Sequence, residues 1–201
     1  MNPFGEAKKG FACILACATK YPPVDSATLP LARMSHEEIT LRRARTRDVR
    51  PIRALVDHYV EQQILLEKES VQLYEDIQDF WVADRNGQVV GCGALHPLWE
   101  DIAEIRTVAV HPSVRGHGVG HRLVARLVET ARELGISRVF VLTFEVAFFE
   151  RHGFAAIEGT PVTPEVYAEL RRSFDEGVAE FLDLERVKPN TLGNTRMLLH
   201  L

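Results

Sequence analysis

Residues 104–121 read EIRTVAVHPSVRGHGVGH, and no other stretch limits the fold so tightly. The first half reads as a strand, because Ile105, Thr107, Val108, Ala109 and Val110 are β-branched or small. Pro112 and Ser113 end it. Arg115-Gly116-His117-Gly118-Val119-Gly120 follows. Val119, Leu123, Leu127, Ala131 and Leu134 then recur at helical spacing, and Val124 and Val128 widen the stripe. A strand, a glycine-rich loop and a helix start, in that order, make an anion site. The glycines let backbone N–H groups approach phosphate oxygens, and the helix adds its positive dipole end. Spacing narrows the ligand. A P-loop closes on Gly-Lys-Ser/Thr, whereas this loop closes on Gly120-His121-Arg122. A dinucleotide fingerprint needs G-x-G-x-x-G, and here His121 holds the sixth position. What remains is V-x-P-x-x-R-G-x-G-x-G.

The rest of the chain is compatible with one domain around that loop. Its 201 residues suffice for a single full core. A net charge of -4 and the lack of a basic stripe argue against a nucleic-acid partner. The basic groups near the loop (Arg115, His117, His121, Arg122, Arg126) are local, as a polyphosphate requires. Three cysteines, Cys13, Cys17 and Cys92, cannot pair completely, which favours a reducing, cytoplasmic setting. Residues 1–37 read as a disordered extension or a start assigned too early: a short apolar run at 11–18 leads into the Pro-rich 21–30, and Met34 looks like a natural beginning. The domain then spans 38–201. No transmembrane span and no internal repeat is evident.

Along the domain, 39–45 alternates as a first strand, and Thr46 caps a helix whose stripe is Val49, Ile52, Leu55, Val56 and Tyr59. Ser70 caps a second, shorter helix. Strands at 80–83 and 88–95 flank an Asn86-Gly87 hairpin turn. Residues 138–143 (RVFVLT) form another strand, apolar on both faces. A short helix at 145–152 ends at Gly153-Phe154. A helix is expected at 164–173, an extended segment at 178–183 and a last strand at 193–201.

This order of elements, together with the loop and the FFERHGF segment at 148–154, resembles the GCN5-related N-acetyltransferase family. The resemblance implies an α/β fold with a mixed, mostly antiparallel central sheet flanked by helices. It also implies acetyl-CoA as co-substrate. GCGALH (91–96), EIRTVAV (104–110), VFVLTF (139–144), FFERHGF and KPNTLGNTRMLL (188–199) narrow it to the short, stand-alone N-acetylglutamate synthases, which lack the kinase-like domain. Phe149 stands where the wider family often has a tyrosine that protonates the departing thiolate. A thiol with pKa near ~8.5 leaves readily without that help.

By that resemblance Glu104 is the base that deprotonates the incoming ammonium. Backbone N–H groups near Val108 meet the tetrahedral oxyanion. The backbone of Val108, Ala109 and Val110 takes the pantetheine amides. Arg115, Gly116, His117, Gly118, Val119, Gly120 and His121 take the pyrophosphate, with Phe149 beside the pantetheine arm. Lys68, Arg196 and, by position, Arg106 are candidates for the two substrate carboxylates. Thr143 is a candidate donor to the leaving sulfur. The family makes a homodimer plausible. His111, His117 and His121 lie on a turning loop that does not converge them, so no metal is expected. The bland alternatives are a solvated strand-end carboxylate at Glu104, surface charges at Lys68 and Arg106, and a structural arginine at Arg196. Three activities fit: acetyl transfer from acetyl-CoA to glutamate for arginine synthesis, transfer to another amino acid (glutamine included), small amine or protein N-terminus, or a non-catalytic acetyl-CoA sensor.

Overall fold

The computed structural model describes residues 39–60, 69–184 and 193–201. The expected extension at 1–37 lies outside the described residues, as does Lys68. The first strand, β1 (Ile39–Arg43), is followed by helices α1 (Val49–Val60) and α2 (Ser70–Glu75). Three antiparallel strands come next: β2 (Phe80–Arg85), β3 (Gln88–Trp99) and β4 (Ile102–Val110). Then follow α3 (Val119–Glu133), β5 (Arg138–Thr143), α4 (Val146–Glu150) and a two-residue β6 (Ala155–Ala156). Helices α5 (Pro164–Leu170) and α6 (Glu176–Phe181) lead to β7 (Thr195–His200). The strands form one sheet in the order β1-β2-β3-β4-β5-β7-β6. Every neighbouring pair is antiparallel except β4 with β5. This is the mixed, mostly antiparallel sheet expected from the sequence.

Local chemistry explains most elements. Asn86 and Gly87 both take positive φ (53° and 85°), as the tight β2–β3 hairpin requires. Gly153 at φ 86° lets the chain turn out of α4, and the Phe154 N–H returns to the Phe149 carbonyl at 3.2 Å. Three expectations fail. Thr46 and Ser70, read as caps, are instead the first residues of a short 3-10 turn at Thr46–Asp48 and of α2, with Arg45 and Glu69 at the cap positions. Residues 178–183, read as extended, belong mostly to α6. The Asp175 carboxylate accepts from the Val178 N–H at 2.8 Å and caps that helix, while Val178, Phe181 and Leu182 point inward. The apolar spacing is helical, but six residues are too few to override the β-rich reading of Val178 and Phe181.

Helix α3 covers one face of the sheet. Leu123, Val124, Leu127 and Ala131 have no exposed surface, and burying each large side chain is worth roughly 1.5–3 kcal/mol. The helix comes close because β3 carries Gly91 and Gly93 beneath it. A Cβ at Gly93 would stand 3.0 Å from the Leu127 side chain and 3.3 Å from that of Val108. On the other face are two separate clusters. Helices α1 and α2 pack over Val82, Cys92, Ala94 and Ala109, and α5 and α6 pack over Ile102, Phe140, Leu142 and Leu198.

Candidate active site

Strands β4 and β5 share only three ladder pairs, Ile102 with Arg138, Ala103 with Val139 and Glu104 with Phe140. Beyond Glu104 the two strands part. Residues 105–110 of β4 stay paired to β3, and 141–143 of β5 stay paired to β7. The gap opens at the seam between the two clusters on the α1/α6 face. There β4 carries a bulge, with Gly93 of β3 facing both Thr107 and Val108. Thr107 takes φ 53°, a left-handed conformation that a β-branched residue adopts only at a cost. The bulge re-aims the backbone of Val108, the place where oxyanion donors are expected.

Glu104 sits on the last shared pair. Its side chain is 6 % exposed, and Arg106, two residues on and 10 % exposed, donates from Nε to Oε2 at 2.7 Å. The same guanidinium donates from Nη1 to Asp175 at 3.1 Å and lies 3.0 Å from that carboxylate through Nη2. Gly177 makes room for it, since a Cβ there would fall 2.7 Å from the guanidinium carbon. Burial acts to lower the Arg106 pKa, but Glu104 and Asp175 outweigh it and hold the group firmly charged. Burial likewise raises the Asp175 carboxyl, and Arg106 overrides this, leaving it at about 2. A carboxyl depressed from 3.8 stabilises the fold fully above pH ~4, and that contribution is lost as pH falls through ~2. Asp175→Asn is therefore expected to flatten the acid limb of an unfolding-versus-pH series between those values and leave the slope near neutrality alone.

Arg196 also reaches this neighbourhood. It lies over the Phe140 ring at 4.9 Å, and the Glu104 charge acts on it. Its donors go to backbone carbonyls: Nε to Gly159 at 3.0 Å, Nη1 to Glu180 at 3.1 Å, and Nη2 to Phe181. In this state Arg196 ties the chain after β6 and the end of α6 to β7. Thr143, fully buried at the end of β5, accepts the Glu145 N–H at 2.9 Å and closes the turn into α4. Phe149 has no exposed surface. Its ring meets Phe148 and Phe154 edge-on, so it belongs to the core beneath the site. Burial pushes the Cys92 thiol up to about 12, which makes it no nucleophile at neutral pH.

The glycine loop has the geometry of an anion cradle. Gly116 (φ 78°) and Gly118 (φ 70°) are left-handed, and Gly118 caps α3. The first helical bond runs from Arg122 N–H to the Gly118 carbonyl at 3.0 Å. The N–H groups of Val119, Gly120 and His121 thus have no acceptor within the helix. Arg115 donates to the Tyr59 hydroxyl at 3.2 Å, and that hydroxyl donates to the Val110 carbonyl at the end of β4. The Arg115 Nε is buried without a partner among the described residues. His117 faces back on the Arg115 carbonyl at 2.9 Å through Nδ1. His121 packs 4.5 Å from the Phe148 ring and shares a 2.9 Å contact with His152. Burial, with Arg151 nearby, lowers the His121 pKa. Nothing lies within 4 Å of a Cβ built on Gly118, so the residue is needed for its φ and for close approach. Gly118→Ala should cost about 1–2 kcal/mol of stability through that φ. It should weaken CoA at least about tenfold by placing a methyl group in the cradle. Calorimetric titration with CoA, beside a urea melt, reads both.

Sequence reasoning missed Asp175, Gly177, Tyr59 and the Asp79–His96 pair. Asp175 carried a signal, an Asp followed three residues later by an apolar helical spacing. The other three depend on tertiary contacts that no local pattern encodes.

The splayed β4–β5 pair, the bulge and the glycine cradle define an acetyltransferase, and the chain belongs to the acetyltransferase (GNAT) family, whose profile matches residues 47–154. It is 64 % identical over 162 residues to the amino-acid acetyltransferase of Mycobacterium tuberculosis, covering 79 % of this chain and 92 % of that one. A crystal structure of a protein from M. tuberculosis, in complex with CoA and NLQ, superposes with TM-score 0.78 at 63 % identity, over 81 % of this chain and 99 % of that one. N-acetylglutamate synthase from Neisseria gonorrhoeae, complexed with coenzyme A and N-acetyl-glutamate, superposes with TM-score 0.64 at 26 % identity. That match takes in 82 % of this chain but 35 % of the longer synthase. No described helix is long and apolar enough to cross a membrane.

Proposed function

We propose that this acetyltransferase moves the acetyl group of acetyl-CoA to the α-amine of L-glutamate, the entry step of arginine synthesis. The observation that carries the reading is the buried Glu104–Arg106 pair at the mouth of the β4–β5 gap. An amino acid arrives as an ammonium with no lone pair, and Glu104 takes its proton. The freed amine then attacks the thioester carbon directly, because Cys92, the cysteine among the described residues, is fully buried and its thiol is pushed up to about 12. The N–H groups of the bulged strand near Val108 meet the developing oxyanion, and the thiol departs without a proton donor at Phe149. Arg106 is spoken for by Glu104 and Asp175, so Arg196, whose donors go to backbone carbonyls and to no carboxylate among the described residues, is the cation that attracts a substrate carboxylate. The likeness to proteins solved with CoA, and with N-acetyl-glutamate, supports the acceptor as well as the donor.

A second acceptor stays in view. The M. tuberculosis relative is named for amino acids in general, which supports acetyl-CoA-dependent amino-acid acetylation ahead of any one amino acid. Free-thiol release from acetyl-CoA across a panel of single amino acids and small amines tests the proposal. Glutamate-dependent release upholds it. Release with a different amino acid alone moves the specificity and keeps the class. No release with any acceptor, alongside CoA binding, points to a sensor.

A further inference from the structure

His96 lies on β3 directly opposite Glu104 on β4. Residues so paired project from the same face of a sheet, with Cβ atoms about 4.5–5.5 Å apart. The ladder is regular on either side of them, with Leu95 opposite Ile105 and Pro97 opposite Ala103. His96 is held through one ring nitrogen: Nδ1 stands 2.8 Å from the Asp79 carboxylate, in the short turn after α2. Asp76 belongs to the same group, with one oxygen of each carboxylate and a ring nitrogen all within 4.8 Å. Two atoms are left over. Among the described residues, His96 Nε2 makes no hydrogen bond, and neither does Glu104 Oε1. Glu104 is nearly sealed off, at 6 % exposure, whereas the His96 side chain is 24 % exposed.

We infer that His96, oriented by Asp79, carries the substrate proton away from Glu104 to solvent. This rests on the proposed amino-acid acetylation. The ammonium N–H bond breaks and its proton goes to a Glu104 carboxylate oxygen. That proton passes from Oε1 to His96 Nε2, directly or by way of solvent, and then leaves the exposed imidazolium. Glu104 returns to the carboxylate form needed for the proton that the nitrogen loses after attack. Glu104, at 6 % exposure, has little surface of its own through which to release that proton to water. The Asp79 carboxylate fixes the Nδ1–H tautomer, which presents Nε2 as the acceptor, and stabilises the imidazolium while it lasts. The charged groups around this path are Asp76 and Asp79 after α2, Glu104 and Arg106 on β4, and Asp175 at the start of α6, on which the His96 charge acts. Glu104 is the catalytic group, and His96 and Asp79 act through it.

The test compares His96→Gln, His96→Ala and Asp79→Asn with the native enzyme. His96→Gln should lower kcat by about tenfold to a hundredfold near neutral pH, leave CoA affinity within twofold, and shift the acid limb of the kcat profile. Asp79→Asn should give a smaller loss in the same direction. Added imidazole should restore part of the His96→Ala rate, counted over an amino-acid-free blank. A native-like kcat and pH profile in His96→Gln overturns the inference. So does a loss that is constant with pH and untouched by imidazole, which is what a merely structural tie between the turn and β3 would give. A native enzyme that releases no thiol with any amino acid fails one step earlier, and overturns the proposed function instead.

Discussion

Glu104→Gln is expected to lower kcat by about 10²- to 10⁴-fold at neutral pH and to leave CoA binding within twofold. The substitution is nearly isosteric, and its amide oxygen can still accept from Arg106, so the geometry of the pair survives while the base is lost. The deficit should narrow at high pH, where more amino acid arrives as free amine and needs no deprotonation. Steady-state rates across pH, with CoA affinity measured separately, check this. A kcat that hardly changes would remove Glu104 from the chemistry and make it a structural counter-ion for Arg106. The KM for the amino acid is the control: a loss confined to KM would mean that Glu104 only positions Arg106.

Arg106→Met should cost about 3–5 kcal/mol of folding stability. The guanidinium lies between two carboxylates, Glu104 at 2.7 Å and Asp175 at 3.0 Å, in a site with little access to water. Removing it leaves the buried Glu104 and the part-exposed Asp175 with no cation between them. The loss should be largest near neutral pH and shrink in acid, as the stranded carboxylates take up protons. The double variant with Glu104→Gln should recover part of it, because one uncompensated charge then remains. Urea unfolding of the four proteins completes the cycle. A single-variant loss below about 1 kcal/mol would place Arg106 among exposed pairs of little weight. In that event the opening is wetter than its burial implies.

Much of the fold was legible because local rules and tertiary outcome agree. The α3 stripe, the Asn86-Gly87 turn, the Gly153 exit and the apolar RVFVLT strand each signal their structure within a few residues. Gly116 and Gly118 were legible for the same reason, since a left-handed φ restricts the residue type. Helix α6 was not, because its six residues are short for a periodicity to declare itself. The acceptor side of the site was the least legible. Arg106 was singled out by position, but its partner Asp175 lies 69 residues away, and Gly177 matters only because a guanidinium passes over it. Phe149 could be aligned to a functional position, yet its fully buried ring shows a packing role that a motif does not express. Arg196 presents the reverse case: basic residues suit a dicarboxylate, but only the fold reveals three carbonyls already drawing on this one.

The bulge at Thr107 divides β4 into two half-strands of opposite phase. Before it, even-numbered residues (Ile102, Glu104, Arg106) face the acceptor side, and Ala103 and Ile105 face α3. After it the parity inverts, so that Ala109 faces α1 while Val108 and Val110 face α3. The half that carries Glu104 and Arg106 and the half that runs into the glycine loop are thus independently indexed segments of one strand. One residue of slack, about 3.3 Å of contour, sets their separation. In the proposed reaction that separation would act as a ruler between the anchored end of a long, flexible cosubstrate and its reactive carbon. A ruler cut into the backbone is insensitive to side-chain drift on either half. Such a strand can retain its acyl donor while the acceptor-facing residues diversify.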